Sequence, residues 1–184
     1  MDGRFDEALH RVGTALGGVD PASLDTACAM IAGARRIGVY GCGREGYQLR
    51  GLAMRLYHLG CAVGYVGETT MPPLGAGDLL IVSAGPGELA TVTAQMTTAR
   101  AARARLLLFT AVPGTPSAAL ADLVLAVPAQ TMASDGGDDG TSMLPMGSVY
   151  EGALFFVFEA MIADLRGRLG QTAQTMRARH TNME

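Results

Sequence analysis

A chain of 184 residues with 49% hydrophobic and 17% charged side chains suits one domain with a full core, and is too short for two. Its net charge of -3 provides no basic surface for nucleic acid, and it contains no apolar run long enough for a transmembrane helix. The 14 strongly basic residues are all arginines, which excludes a Schiff-base lysine, a pyridoxal phosphate anchor and a Walker-type phosphate loop within this chain.

The N-terminal part of the chain is predicted to be helical. Residues 3–18 and 22–34 have the spacing of two amphipathic helices, and we expect residues 1–34 to form an arm. Asp20 and Pro21 suit the start of the second helix as its cap and its first residue.

The central part alternates between apolar runs and helical patterns. The predicted strands are 36–41, 61–66, 78–84, 104–111 and 123–128, and the predicted helices are 46–59, 88–103 and 117–123. Near-continuous apolar strands indicate a parallel sheet that is covered on both faces, so we predict a three-layer αβα sandwich over residues 35–128. Ligands of such sheets bind beyond the carboxyl ends of the strands, which points to the loops 41–46 and 84–88.

The C-terminal part is predicted to contain a loop and two helices. Residues 129–147 are rich in glycine and acidic side chains and are predicted to be a mobile loop. A long helix is expected from about residue 148 and a short tail helix over about 171–180. No internal repeat is evident, so we expect one domain over residues 1–184, with 148–184 as its C-terminal helices.

The cysteines and the first residues indicate a cytoplasmic protein. Cys28, Cys42 and Cys61 are an odd number without metal-ligand spacing, which favours reduced thiols. The first residues, "MDGRFDEALH", lack the basic-then-apolar pattern of a signal peptide.

A glycine turn follows the first predicted strand. The "GCGREG" segment falls short of the dinucleotide fingerprint, because its third glycine is misplaced and no acidic residue closes the next strand. The sequence therefore disfavours a nicotinamide cofactor, and we expect no organic cofactor or metal.

Four segments together resemble the 6-phospho-3-hexuloisomerase family, whose members are SIS (sugar isomerase) domain proteins. In chain order they are "GCGREGYQLRGLAMRLYHLG" (41–60), "YVGETTMPP" (65–73), "LPMGSVYEGALFF" (144–156) and "RARHTN" (177–182). The resemblance implies a flavodoxin-like five-stranded domain that assembles as a homodimer or homotetramer. It also implies cofactor-free interconversion of 3-hexulose 6-phosphate and fructose 6-phosphate through an enediolate.

The resemblance also implies roles for individual residues. Glu151 matches the family's base, and His180 matches a histidine that reaches a neighbouring subunit's site. Arg44, Arg55 and His58 match family positions near the crevice. From the residues alone, Glu151 is equally an ordinary helix-start acid, His180 a solvated tail residue and His58 a helix-end residue.

The chain departs from the family pattern where phosphate is bound. Typical members have a serine in the first glycine turn, where this chain has Glu45. They also have three hydroxyl residues after the third strand, where this chain has Ala84, Pro86 and Leu89 in "SAGPGELATV" (83–92). Each lost charge-assisted hydrogen bond is worth roughly 1.5–3 kcal/mol, so ordinary phosphate binding is not expected.

Three functions remain open from the sequence. The preferred hypothesis is an isomerase that transfers protons with Glu151 and His180 on a non-phosphorylated or otherwise altered polar small molecule. The alternatives are a 6-phospho-3-hexuloisomerase with a rearranged phosphate site and a non-catalytic ligand-binding protein of the same fold. The candidate substrate-binding residues are Gly43, Arg44, Glu45, Arg55, His58, Gly85, Gly87 and Glu88.

Overall fold

A five-stranded parallel sheet forms the centre of the molecule. The structure is a computed structural model that describes residues 3–135 and 143–183. The strands are β1 (Ile37–Gly41), β2 (Val63–Tyr65), β3 (Leu79–Ser83), β4 (Arg105–Thr110) and β5 (Leu123–Ala126). Their order is β2-β1-β3-β4-β5, and every neighbouring pair is parallel. This order confirms the flavodoxin-like α/β fold.

Helices cover both faces of the sheet. Within the described residues the α-helices are α1 (Gly3–Gly17), α2 (Pro21–Ala32), α3 (Gly43–His58), α4 (Ala90–Ala101), α5 (Ser148–Arg168) and α6 (Ala173–Arg177). Short 3₁₀ helices lie at Ala118–Leu120 and Met132–Ser134. No described helix has the length and apolar character that crossing a bilayer requires.

Alternation along β3 produces two cores. Leu79 and Ile81 belong to the larger core, which also contains buried side chains of α2, α3 and α5. Leu80 and Val82 belong to the smaller core, which contains the buried side chains of α4. Because successive side chains of a strand point to opposite faces, one continuous apolar run fills both layers.

The two N-terminal helices occupy different places. Asp20 caps α2 as predicted, since its side chain accepts hydrogen bonds from the Ala22 and Ser23 N–H groups. Helix α2 buries Cys28 and Ile31 in the larger core, so it is part of the helical layer beside the sheet. Helix α1 packs mainly against α5.

The extent of two predicted helices differs most from the structure. Helix α3 begins at Gly43 rather than at residue 46, so the predicted glycine turn is mostly helix. The predicted helix over 117–123 is only one 3₁₀ turn. No helix lies between β2 and β3, and none is predicted there, because Pro72, Pro73 and Gly75 interrupt the segment.

The predicted mobile loop lies only partly within the described residues. Residues 131–134 form a turn in which Thr131 N–H donates to Ser134 Oγ over 2.9 Å. The glycine-rich and acidic centre of this predicted loop, residues 136–142, lies outside the described residues.

Candidate active site

A crevice of about 340 Å³ lies beyond the carboxyl ends of β1 and β3, where the strand order reverses. The first turn of α3, the loop after β3, the Met132 segment and the start of α5 surround it. Its lining residues are Cys42, Gly43, Arg44, Glu45, Pro86, Leu89, Met132, Met146, Gly147, Tyr150 and Glu151. The two loops predicted to form a crevice therefore meet at one.

Arg44 and Glu151 form an ion pair at the crevice. Arg44 Nε lies 3.0 Å from Glu151 Oε2. The other guanidinium nitrogens donate to Ser148 Oγ over 2.9 Å and to the Met146 carbonyl over 2.5 Å, which fixes the plane of the side chain. Arg44 thus links the first turn of α3 to the first turn of α5.

The environment of Glu151 suits a proton acceptor. Burial raises the pKa of the Glu151 carboxyl, the nearby Glu45 raises this pKa further, and the Arg44 guanidinium opposes both effects. The peptide N–H groups at the start of α5 also favour a negative charge at this position. A carboxylate whose pKa is raised toward neutrality is a stronger base while it stays ionised.

Glu45 lies where the sequence predicted a departure from the family, and its carboxylate turns inward. Glu45 Oε2 accepts a hydrogen bond from Ser83 Oγ over 2.5 Å and one from the Gly85 N–H over 3.0 Å. Burial raises the pKa of the Glu45 carboxyl, although both hydrogen bonds oppose the rise. The Gly85 N–H of the glycine loop therefore already donates to a carboxylate of the chain itself, that of Glu45.

Tyr150 completes a buried polar chain behind the crevice. Its side chain is 1% exposed, and its hydroxyl lies 3.1 Å from Ser83 Oγ. Because the single Ser83 hydroxyl proton is directed to Glu45, Tyr150 is the donor in this pair. Burial and the Glu45 charge raise the pKa of the Tyr150 phenol well above its usual value.

The loop after β3 requires its glycines. A Cβ at Gly85 would lie 2.8 Å from Glu45 Oε1 and 2.9 Å from the Tyr150 ring. Gly87 has φ +94°, in the left-handed region that favours glycine. Glu88 is exposed and accepts a hydrogen bond from Ser117 Oγ over 3.3 Å, so it faces away from the crevice lining.

Three predicted site residues lie at the other end of α3. Arg55 forms a bidentate pair with Glu159 of α5, at 2.7 and 2.9 Å. His58 is 7% exposed and stacks on His180, with the ring centroids 5.3 Å apart. At 1.5 Å per residue Arg55 lies about 15 Å and His58 about 20 Å along α3 from Glu45, and His180 lies beside His58. In this chain Arg55, His58 and His180 are therefore not near the crevice.

His58 and His180 line a second cavity, of about 400 Å³, between the end of α3 and the C-terminal tail. Arg179 fastens the tail there by donating to the His58 carbonyl over 3.0 Å. The two predicted catalytic residues, Glu151 and His180, are thus not brought together within one chain.

Sequence reasoning missed the roles of Ser83 and Tyr150. Ser83 lies within a predicted strand and is the last residue of β3, and its hydroxyl also donates a hydrogen bond to Glu45. Tyr150 directly precedes Glu151 in the segment 144–156, which carries part of the family resemblance. That position is the one sequence signal that could have pointed to Tyr150 as a site residue.

The described residues contain no group of three or more histidine, cysteine or acidic side chains arranged to hold a metal ion. The crevice instead offers two carboxylates and one guanidinium. Such a set can take and return protons and can stabilise a negative oxygen.

Relatives of known name align with nearly the whole chain. A 3-hexulose-6-phosphate isomerase of Mycobacterium gastri is 39% identical over 166 residues, which cover 90% of this chain and 82% of that protein. A 3-hexulose-6-phosphate isomerase of Methylomonas aminofaciens is 34% identical, with 87% of each chain covered. No protein-family model matches the chain.

A solved structure shares the fold. It is that of a hypothetical protein from Methanococcus jannaschii, described as inferring a molecular function of 3-hexulose-6-phosphate isomerase. It is 26% identical, covers 99% of both chains and superposes with a TM-score of 0.83.

Proposed function

This chain belongs to the 3-hexulose-6-phosphate isomerase family, and we propose that its substrate is a polar hydroxy-ketone without a phosphate group. The proposed reaction moves a carbonyl to the neighbouring carbon through an enediolate. It requires a base beside the C–H bond and a group that stabilises the developing oxyanion.

The hydrogen bonds of Glu45 carry the proposal. Its carboxylate accepts the Gly85 N–H, a donor that a phosphate bound at this loop would use. A phosphate there would lose this peptide donor to the Glu45 carboxyl, and it would also lack the hydroxyls that the family pattern has at the positions of Ala84, Pro86 and Leu89. Each lost charge-assisted bond weakens binding by roughly 1.5–3 kcal/mol, so a neutral substrate is favoured.

Glu151 and Arg44 supply the chemistry in this proposal. Glu151 lines the crevice in the first turn of α5 and takes the carbon-bound proton. The Arg44 guanidinium, fixed by Ser148 and the Met146 carbonyl, lies where it can stabilise the enediolate oxygen. The family resemblance adds His180 of a neighbouring subunit as a further proton-transfer group.

The same proposal includes assembly and location. We expect a single SIS domain that forms a homodimer or homotetramer, since His180 lies far from the crevice of its own chain. All three cysteines are free thiols, which suits the reducing cytoplasm.

Two ketoses test the substrate class. The purified protein is assayed with 3-hexulose and with 3-hexulose 6-phosphate, and each product is identified by chromatography. We expect the unphosphorylated ketose to have a kcat/KM at least roughly tenfold higher, the equivalent of one lost phosphate contact. Glu151→Gln removes turnover, whereas the distant Glu7→Gln, on the surface of α1, leaves it intact.

Efficient turnover of 3-hexulose 6-phosphate alone overturns the substrate proposal. It establishes the second candidate, a 3-hexulose-6-phosphate isomerase that holds phosphate elsewhere, which the names of the relatives favour. Binding of inorganic phosphate separates the two independently. Calorimetry should detect phosphate binding to the Glu45→Ser variant, and it should detect none with the wild type or with the control variant Glu7→Ser.

A further inference from the structure

Glu45 and Glu151 are two carboxylates in one crevice. They come from different helices, α3 and α5, and they lie close enough for a charge on one to act on the other. Arg44 forms an ion pair with Glu151, and its guanidinium also donates to Ser148 Oγ and to the Met146 carbonyl. The two carboxylates therefore have unequal environments, one paired with a cation and one held by neutral donors.

The two oxygens of Glu45 are also unequal. Oε2 accepts the short bond from Ser83 and the 3.0 Å bond from Gly85. Oε1 receives only a longer contact, 3.2 Å, from the same Gly85 N–H among the described residues. Oε1 thus keeps the capacity to carry a proton, while Oε2 anchors the side chain.

The groups around Glu45 favour a stored proton. Tyr150 and Glu151 approach from α5, Arg44 adjoins it on α3, and Cys42 precedes that helix. Arg44 is directed to Glu151, and the loop after β3 offers only the Ser83 hydroxyl and the Gly85 N–H. Burial of Glu45 raises the pKa of its carboxyl, consistent with this arrangement.

We propose that Glu45 is a catalytic residue, the second proton-transfer group of the isomerase, which works in the same crevice as Glu151. The inference rests on the proposed proton-transfer function. It differs from the expectation that His180 of a neighbouring subunit is the partner of Glu151.

Each of the two carboxyls exchanges one proton with the substrate in each direction. The Glu151 carboxylate takes the proton from the carbon next to the ketone, and the C–H electrons form the enediol double bond. The ketone oxygen takes the Glu45 proton. Glu45 then removes the proton from the neighbouring hydroxyl, and Glu151 returns its proton to the former carbonyl carbon. Both carboxyls end in their starting states, and the carbonyl has moved by one carbon.

Ser83 and Tyr150 are positioning residues for this step. Tyr150 donates to Ser83 and Ser83 donates to Glu45, so the buried chain fixes one oxygen of the acid. The Ser83 hydrogen bond lowers the pKa of Glu45 and thereby limits the rise that burial causes. Removing this hydroxyl is expected to raise the Glu45 pKa.

The pH dependence of kcat tests the inference. The substrate is 3-hexulose, or 3-hexulose 6-phosphate if that is the ketose the wild type converts. Glu151 must be ionised and Glu45 protonated, so the wild-type profile falls on both the acid and the alkaline side. We expect Glu45→Gln to lower kcat by roughly 10²–10⁴-fold and to abolish the alkaline fall. The matched Glu7→Gln change should leave the profile unaltered.

Ser83→Ala keeps the test decisive if Glu45→Gln does not fold. It should move the alkaline fall to higher pH, an effect that a merely structural role would not produce. The inference is overturned if the pH profile of kcat is the same for Glu45→Gln and Glu7→Gln. It is also overturned if Ser83→Ala leaves the alkaline fall at the wild-type pH. If Glu151→Gln still abolishes turnover, the proposed function survives; if Glu151→Gln is fully active, both fall.

Discussion

The Glu45 carboxylate combines three properties. It is largely buried, it accepts a peptide N–H, and it lies beside a second acidic residue. Its neighbours on the loop are glycine-restricted, because a Cβ at Gly85 would press on Glu45 Oε1. Glu45 is thus an internal ligand of the loop after β3, held there by Ser83 and the Gly85 N–H.

The stability of the protein should report the ionisation of Glu45. Burial raises its pKa in the folded state, so the folded protein holds this proton more tightly than the unfolded chain. Ionised Glu45 therefore destabilises the fold increasingly as the pH rises from the usual glutamate range through the raised pKa. Relative to wild type, Glu45→Gln should be more favourable to stability at pH 8 than at pH 4.5, measured by thermal melting.

Glu7→Gln is the control for this comparison, since Glu7 is a surface partner of Arg11 on α1. If the difference in Tm between Glu45→Gln and wild type is the same at both pH values, the carboxylate is not destabilised by burial.

Contact between α3 and the sheet brings Arg44 and Glu45 to the crevice. At Gly46 the helix approaches β1 so closely that a Cβ would lie 2.6 Å from the Gly41 carbonyl oxygen and 2.9 Å from the Tyr65 hydroxyl. Tyr65 donates to that same carbonyl over 2.7 Å. The glycine turn in the sequence therefore serves close packing of helix on strand, in addition to any contact with a ligand.

Gly46→Ala should destabilise the protein by about 1–3 kcal/mol, because backbone atoms have to move to admit the methyl group. Gly51 is a matched control on the same helix, where a Cβ would meet nothing within 4 Å. Gly51→Ala should stabilise the helix by up to about 1 kcal/mol. Chemical denaturation of the two variants measures both effects. Equal effects would show that the close approach at Gly46 is unimportant.

The local sequence pattern predicts which strands and helices exist better than it predicts the residues at which they begin and end. All five strands were predicted because each is an apolar run of sufficient length. Helix α3 began three residues earlier than predicted, since Gly43, with φ +54°, already opens the helix. The short turn at Ala118–Leu120 was predicted as a longer helix, because alanine-rich segments have high helix propensity in any context.

The outer faces of α3 and α5 bear on assembly of the whole molecule. Four large apolar side chains there are about half exposed: Met54, Tyr57, Phe155 and Phe156. Their exposure supports the expectation that copies of the chain associate. His180 lies beside this region, stacked on His58 at the end of α3.

Mixed oligomers test whether His180 serves a neighbouring site. If His180 does serve a neighbouring site, Glu151→Gln and His180→Ala each reduce turnover when purified alone; if Glu45 is the partner of Glu151 instead, His180→Ala keeps its turnover. Co-expression of the two variants should restore activity, since about a quarter of the sites then combine an intact Glu151 with an intact His180 from different subunits. Native mass spectrometry verifies the mixed species. Mixed oligomers without restored activity would contradict an intersubunit role for His180 and would fit a site complete within one chain.

The sequence by itself determined the fold class, the family and the end of the sheet where the crevice lies. Apolar periodicity, caps and glycine positions are local properties, so they can be recognised without coordinates. It also predicted that hydroxyl residues of the family pattern are replaced at Glu45, Ala84, Pro86 and Leu89. Only the tertiary structure decided what the Glu45 carboxyl contacts: Glu45 meets Ser83 and Gly85 across 38 and 40 residues, and Ser83 meets Tyr150 across 67. Such contacts depend on how α3 and α5 pack over the ends of β1 and β3, and no local pattern encodes that packing.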